Sequence, residues 1–320
     1  MSKSFISVGV SIVDIVGTTI ESIPENEGTE VIQTIHMCPA GTAAAPAVIA
    51  ARQGLDTTLI GAVGQDDFGR YMLDKLAQEG VDTSLMQQRG DMPTAATMLP
   101  INSRGERPNW HMPGAFLLLE PTDEAKAAIA AADHIHWGGI GLLFNFDGEV
   151  AAGIMAEARV NGATITADLI APGDHTPGCI EAVAPQLNWF MPSIDEALQI
   201  SGEQSVQAAA EFFMNQGAGG CVIKCGGDGA YIANQDGISE QVPVIADVSV
   251  VDTSGCGDSF CAGFNVGLAR DFDPVTACRF ATATAAQVAS GVGSNAGVVD
   301  FATTEKIMNS GTMSVLQEDA

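Results

Sequence analysis

Strand-like and helix-like runs alternate along most of these 320 residues, and that alternation leaves few folds open. Short apolar runs at 5–10, 58–63, 134–137, 164–167, 187–190 and 220–225 read as buried strands. Between them, 47–53, 68–79, 122–132, 148–161, 194–200 and 205–216 read as helices. Strand, helix and strand in succession make a right-handed crossover between parallel neighbours, and both faces of such a sheet need helical cover. The expected class is α/β, a mostly parallel central sheet between two helical layers.

Two stretches break the rhythm. Residues 15–37 and 91–113 hold no helix-length periodic segment and read as short strands with turns, clearest at 30–37 and 94–101. Paired, they would form a small projecting sheet. The expected division is a core of 1–14, 38–90 and 114–310, a small β lid of 15–37 and 91–113, and a polar tail of 311–320.

Thirteen basic residues against 39 acidic ones give a formal charge of −26, with no basic stripe, which argues against a nucleic-acid groove or an anionic membrane surface. Seven cysteines form no Cys-x-x-Cys pair and only five histidines are present, so no structural zinc site is expected. The odd cysteine count without a secretion signal points to a reducing, cytoplasmic setting. The uncharged stretch 280–299 is rich in Ala, Gly, Ser, Thr, Gln and Asn, and reads as a packed helix and glycine loop rather than a membrane span.

The chemistry concentrates in Val251-Asp252-Thr253-Ser254-Gly255-Cys256-Gly257-Asp258-Ser259-Phe260. A strand is expected at 244–250 and a helix from about Cys256. Such a turn presents the backbone N–H groups of Gly255, Cys256 and Gly257 to an anion, with Asp258 beside them as a potential general base. Phosphoryl transfer to a hydroxyl needs this combination. A plain helix cap by Ser254 or Asp258 is the structural alternative.

The string resembles the C-terminal signature of the ribokinase-like (PfkB) carbohydrate kinases, Asp-Thr-x-Gly-Ala-Gly-Asp-x-Phe. Pro39-Ala40-Gly41-Thr42-Ala43-Ala44-Ala45 is similar to that family's N-terminal glycine motif. Gly61-Ala62-Val63-Gly64-Gln65-Asp66-Asp67-Phe68-Gly69 resembles its second glycine segment, and Lys224-Cys225-Gly226-Gly227-Asp228-Gly229-Ala230 its turn at the nucleotide. The resemblance implies a three-layer α/β/α sandwich with a β-sheet lid, and ATP with Mg2+ as cofactors. It implies Asp258 as catalytic base and the Gly255, Cys256 and Gly257 backbone as anion hole. Nucleotide contacts would come from Lys224, Gly226, Gly229, Asp252 and Gly257, with adenine against 283–293. No Walker-type phosphate loop occurs.

Ser193-Ile194-Asp195-Glu196 stands where the family has Asn-x-x-Glu. Glu196 would act on the metal indirectly, through water or phosphate, and Ser193 with Glu196 also reads as a helix capping box. On the acceptor side, Asp14 follows the first strand and matches the family's sugar-binding aspartate, while Gly41 lets a sugar approach. Ala45 replaces the family's asparagine, with Thr42 as a compensating contact. Asp168 ends a strand and is a candidate for an acceptor or phosphate-proximal role, with a strand-end cap as the competing reading. Arg104 and Arg107, in the turn 103–107, offer a cation to an acidic sugar or the incoming phosphate, and Trp110 and His111 share that region. Thiolates are stabilised at helix N-termini, so Cys256 is either unusually reactive or a small filler.

The sequence thus predicts an ATP-dependent kinase acting on a primary hydroxyl of a small sugar or sugar acid, as a possible homodimer through its lid. The alternatives are a nucleoside kinase of the same superfamily, with Trp110, Phe116 or Phe144 as an apolar wall, and an inactive carbohydrate-binding protein.

Overall fold

The first strand shows how the sequence is divided between two helical layers. In β1 (Ser4–Gly9), Ile6 and Val8 enter one core cluster while Phe5 packs with Ala50, Val266 and Phe280 on the opposite face. Ser7 lies on that second face, its hydroxyl donating to Ala43 O at 2.8 Å. Successive side chains of a strand point to opposite faces, so a doubly covered strand reads as nearly continuous apolar sequence.

The computed structural model describes residues 3–104 and 106–316. After β1 come β2 (Ile12–Thr18), β3 (Thr34–Ala40), α1 (Ala44–Arg52), β4 (Asp56–Ile60), β5 (Ala62–Gly64), α2 (Asp67–Gln78) and β6 (Gln87–Arg89). The middle of the chain forms β7 (Ala96–Ile101), β8 (Trp110–Met112), α3 (Asp123–Ala131), β9 (His134–Gly138), α4 (Gly148–Val160), β10 (Thr164–Asp168) and α5 (Thr176–Val183). Then follow β11 (Trp189–Phe190), α6 (Ile194–Ser201), α7 (Val206–Asn215), β12 (Gly220–Lys224), β13 (Ala230–Asn234) and β14 (Ser239–Val242). The last long helices are α8 (Cys256–Ala269), α9 (Pro274–Ala289) and α10 (Phe301–Ser310).

Among the described residues, an eight-stranded sheet has the order β14-β13-β12-β11-β10-β9-β1-β4. Strands β4 to β12 run parallel, and β13 and β14 close one edge antiparallel. On one face α3, α4 and α5 pack in sequence and α6 meets α7; on the other α8 packs against α9 and α1, and α9 against α10. This is the expected three-layer α/β architecture. A second sheet, in the order β3-β2-β7-β8, stands beside it. Gly9 makes the passage from β1 to β2, with φ at 133°, and a Cβ there would lie 1.9 Å from Gly138 O.

The sequence reading needs four corrections. The run 58–63 is split into β4 and β5 at Gly61, where β5 leaves the large sheet to pair with β6. The stretch 244–250 is not a strand: Asp247 adopts φ 57° and only an isolated bridge joins Ala246 to Thr312. Helices α5 and α10 and the short strands β6 and β14 were not foreseen. Asp14 lies inside β2, between Cys38 of β3 and Thr97 of β7, rather than at the end of the first strand.

The uncharged stretch is the end of α9 and a glycine loop, and no described helix is long and apolar enough to cross a membrane. Residues 317–320 of the polar tail, Met1 and Ser2, and Gly105 in the 103–107 turn lie outside the described residues.

Candidate active site

The loop before α8 leaves backbone N–H groups unpaired. Gly255 caps the helix with φ at 71° and no side chain caps it, which removes the plain capping reading. A Cβ at Gly255 would stand 2.4 Å from Ser294 O, so this close approach admits glycine alone. Buried Asp252 fixes the loop, accepting from Ser254 N at 2.8 Å and Gly293 N at 2.9 Å. Upstream, Val251 N donates to Ala289 O at 2.8 Å, so the C-terminus of α9 does the anchoring expected of a strand. Among the described residues, the N–H groups of Gly255, Gly257 and Asp258 meet no acceptor, while Cys256 N turns to Thr253 O at 3.3 Å. Unpaired donors at the positive end of a 14-residue helix suit an anion.

Asp258 sits in the first turn of α8. Burial pushes its carboxyl up to about 7, and the negative charges of Asp168, Asp14 and Glu196 act in the same direction against Lys224. A carboxyl balanced near neutrality beside unpaired N–H groups is equipped to take a proton from a hydroxyl.

Beneath this turn lies an ion pair. Lys224, last in β12, donates from Nζ to Asp168 Oδ2 at 2.6 Å, the side chains being 12% and 2% exposed. Asp168, last in β10, also accepts from Leu169 N at 2.7 Å and from Cys261 Sγ at 3.4 Å. Ser193 and Glu196 form the expected capping box: Glu196 Oε2 accepts from Ser193 N at 2.9 Å and Ser193 Oγ at 2.6 Å. Burial and then the charge of Asp168 raise the Glu196 carboxyl.

Two cavities meet at residues 253–258. One, of about 430 Å³, is walled by Gly226, Gly227 and Gly229 on one side and by Ala285, Ala286 and Ala289 on the other, with Thr253 and Cys256 at its end. The second, of about 490 Å³, holds Asp14, Gly41, Arg107, His111, Ser254 and Asp258. Asp14 accepts from Ser294 Oγ at 2.7 Å, and burial lifts its carboxyl to about 6. Arg107 reaches from the small sheet to Thr253 Oγ1 at 3.0 Å and Ser254 Oγ at 3.4 Å. Phe116, Leu117, Leu142 and Ile170 supply an apolar wall.

A model of the pfkB family of carbohydrate kinases matches residues 2–300. The chain belongs to that family. It is 30% identical over 268 residues to a fructokinase of Klebsiella pneumoniae, covering 78% of this chain and 81% of the relative. It is 26% identical over 260 residues to an aminoimidazole riboside kinase of Salmonella typhimurium, covering 79% of each. In fold it matches the Arabidopsis thaliana ribokinase complexed with ribose and ATP, with a TM-score of 0.82, 20% identity and 96% and 99% of the two chains covered. The ribokinase of Thermotoga maritima gives 0.77 at 22% identity, over 97% and 100%.

Within this pfkB member, the residues singled out from the sequence separate into groups. Asp258, Gly255, Cys256, Asp14 and Gly41 line the paired cavities, as do Gly226 and Gly229. Thr42 and Ala45 are buried behind the wall and are not among the lining residues. Asp252 is occupied by two backbone N–H groups. Asp168 is not in the wall either; it holds Lys224. Arg104 is exposed and paired with Glu106 at 2.7 Å, so Arg107 is the cation that reaches the cavity. His111 faces the cavity, whereas Trp110 lines an apolar groove on the outer side of the small sheet, and Phe144 is exposed. Ser294 and Asn109 escaped the sequence reading. Ser294 lies in a Gly/Ser-rich loop 280 residues from Asp14, and no local pattern announces such a pairing.

Proposed function

We propose that this chain is an ATP-dependent kinase that phosphorylates a primary hydroxyl of a small sugar or sugar acid. The supporting observation is the position of Asp258, in the acceptor cavity and beside unpaired N–H groups, where that cavity meets a second, glycine-walled one. The glycine-walled cavity of about 430 Å³ fits a purine nucleotide: Cβ atoms at Gly226 and Gly227 would meet nothing within 4 Å, and small side chains face them across the gap. Glu196 fits an indirect role toward magnesium, because both capping bonds fall on Oε2. The metal would neutralise phosphate charge when bound with the nucleotide.

Asp14 orients the acceptor through its hydroxyls, and Asp258 accepts the proton of the attacking one. The N–H groups of Gly255, Gly257 and Asp258 hold charge on the phosphoryl group. Arg107, fixed by two neutral hydroxyls rather than a carboxylate, keeps its charge available to an acidic acceptor or the incoming phosphate. In this reading the small sheet is a lid over the acceptor. Its outer groove, with exposed Ile35, Met98 and Trp110, is the surface through which two copies would pair.

A nucleoside acceptor is the second reading, favoured by the wall of Phe116, Leu117, Leu142 and Ile170. A panel of sugars, sugar acids and nucleosides, scored by ADP release, tests both. Turnover with sugars or sugar acids supports the first, turnover with nucleosides alone selects the second, and ligand binding without ATP consumption rejects both.

A further inference from the structure

We propose that His111 is a specificity-determining residue of the acceptor cavity: Thr97 holds its Nδ1–H, and the bare Nε2 accepts a hydrogen bond from a hydroxyl of the acceptor. The proposal rests on the kinase reading above. The small sheet places this imidazole by register. Asp14 of β2 stands directly opposite Thr97 of β7, and Thr97 opposite His111 of β8. Opposite residues of neighbouring strands share a face, so the three form one row across the sheet, and all three line the acceptor cavity. Along the chain, Arg107, Asn109 and His111 line that cavity, whereas Trp110 lines the outer groove. The alternation of a strand thus turns the ring inward. Two strand spacings put Asp14 and His111 roughly 10 Å apart along the row, so they meet different hydroxyls of one acceptor.

The hydrogen bonds of the row decide which nitrogen carries the proton. Thr97 Oγ1 lies 3.0 Å from His111 Nδ1. The same hydroxyl donates to the Asp14 carboxylate, where it opposes the effect of burial. A hydroxyl has one proton to give. With that proton on Asp14, Thr97 accepts from Nδ1–H, and in a neutral ring Nε2 is then an acceptor. Burial lowers the affinity of His111 for a second proton, so the ring is neutral at pH 7.5. Among the described residues Nε2 meets no partner.

Asp14 and Nε2 both accept and neither donates. The row therefore selects an acceptor with a hydroxyl at each place, and a deoxy carbon or a carboxylate oxygen opposite Nε2 leaves it unpaired. His111 exchanges no proton in the reaction, and Thr97 is its positioning residue.

Nuclear magnetic resonance of protein carrying isotopically labelled histidine reads the tautomer without turnover, with the His111 signals assigned by their loss in His111→Gln. Nδ1 is expected to be protonated and Nε2 bare at pH 7.5, and Thr97→Val should abolish that preference. On the best acceptor from the panel, His111→Phe should raise KM about 5–10-fold, with kcat and ADP affinity within about 3-fold. His111→Gln, whose carbonyl oxygen accepts in place of Nε2, should recover most of that loss. Among deoxy analogues of the acceptor, one should show no His111→Phe penalty, because the hydroxyl that Nε2 reads is missing. A proton on Nε2, an unchanged KM in His111→Phe, or a penalty equal for every analogue would overturn the proposal. If no compound of the panel is phosphorylated, the kinase reading fails, and the spectrum still decides the tautomer.

Discussion

Ser294 donates its hydroxyl to Asp14 at 2.7 Å, while its own backbone carbonyl occupies the space beside Gly255. One residue therefore touches both the proposed acceptor carboxylate and the cap of α8. Gly255→Ala should be costly, because a Cβ would meet Ser294 O at 2.4 Å and the backbone needs a positive φ. A loss of about 1–3 kcal/mol in chemical denaturation is expected, with turnover falling further than stability explains. Ser294→Ala should instead raise the acceptor KM and leave nucleotide affinity unchanged.

The protonation of Asp258, the proposed base, should set the acid limb of the pH profile. A general base must be ionised, and burial holds this carboxyl near 7, so log kcat/KM should rise with pH and level off above about 7. Stability follows the opposite course. Asp258 and Asp14 are raised above the ordinary 3.8, so the folded state binds extra protons between that value and about 7. Their favourable contribution is full below pH 4 and is lost as pH rises through 6 and 7. Asp258→Asn should then raise Tm at pH 8 and have little effect at pH 4; an equal shift at both would contradict the assigned titration.

The two arginines of the 103–107 turn should behave differently. Arg107→Ala is expected to lower kcat/KM by roughly 10–10²-fold, through its lost charge at the junction of the cavities. Arg104→Ala, which removes an exposed pair with Glu106, should stay within about 2-fold. Steady-state kinetics of both variants decides, and equal effects would reject the distinction.

Cys256 should be a slow thiol. Burial pushes it up to about 12, with the charge of Asp252 adding to the shift, so the helix N-terminus does not make it reactive. Alkylation followed by mass spectrometry at pH 7.5 should show little labelling, with or without ATP. Rapid labelling that ATP suppresses would contradict this.

The central strands of the large sheet were legible because they carry apolar residues on both faces, as Phe5, Ile6 and Val8 show, whereas the edge strand β14, Ser-Glu-Gln-Val and largely exposed, was not. The loop at 252–258 was equally legible, since its glycines and aspartate are contiguous in sequence. Pairings between distant segments were not. Nothing near Asp168 announces Lys224, 56 residues away, and Arg104 and Arg107 differ only in which way a turn projects them. The stretch 244–250 has strand-like composition, but Ala246 finds its backbone partners in Gly311 and Met313 rather than in a ladder, and Val251, just after it, bonds to Ala289. Asp14 was misplaced because Gly9 lets the chain turn at once from one sheet into another, and the apolar run continues across the break.

The most direct test is Asp258→Asn, measured for turnover on the best acceptor and for ADP binding by calorimetry. The asparagine keeps the size of the side chain and the backbone N–H groups but removes the proton acceptor. Turnover is expected to fall roughly 10²–10⁴-fold with ADP affinity within about 3-fold. Turnover near the wild-type level would contradict Asp258 as the base of a phosphoryl-transfer site.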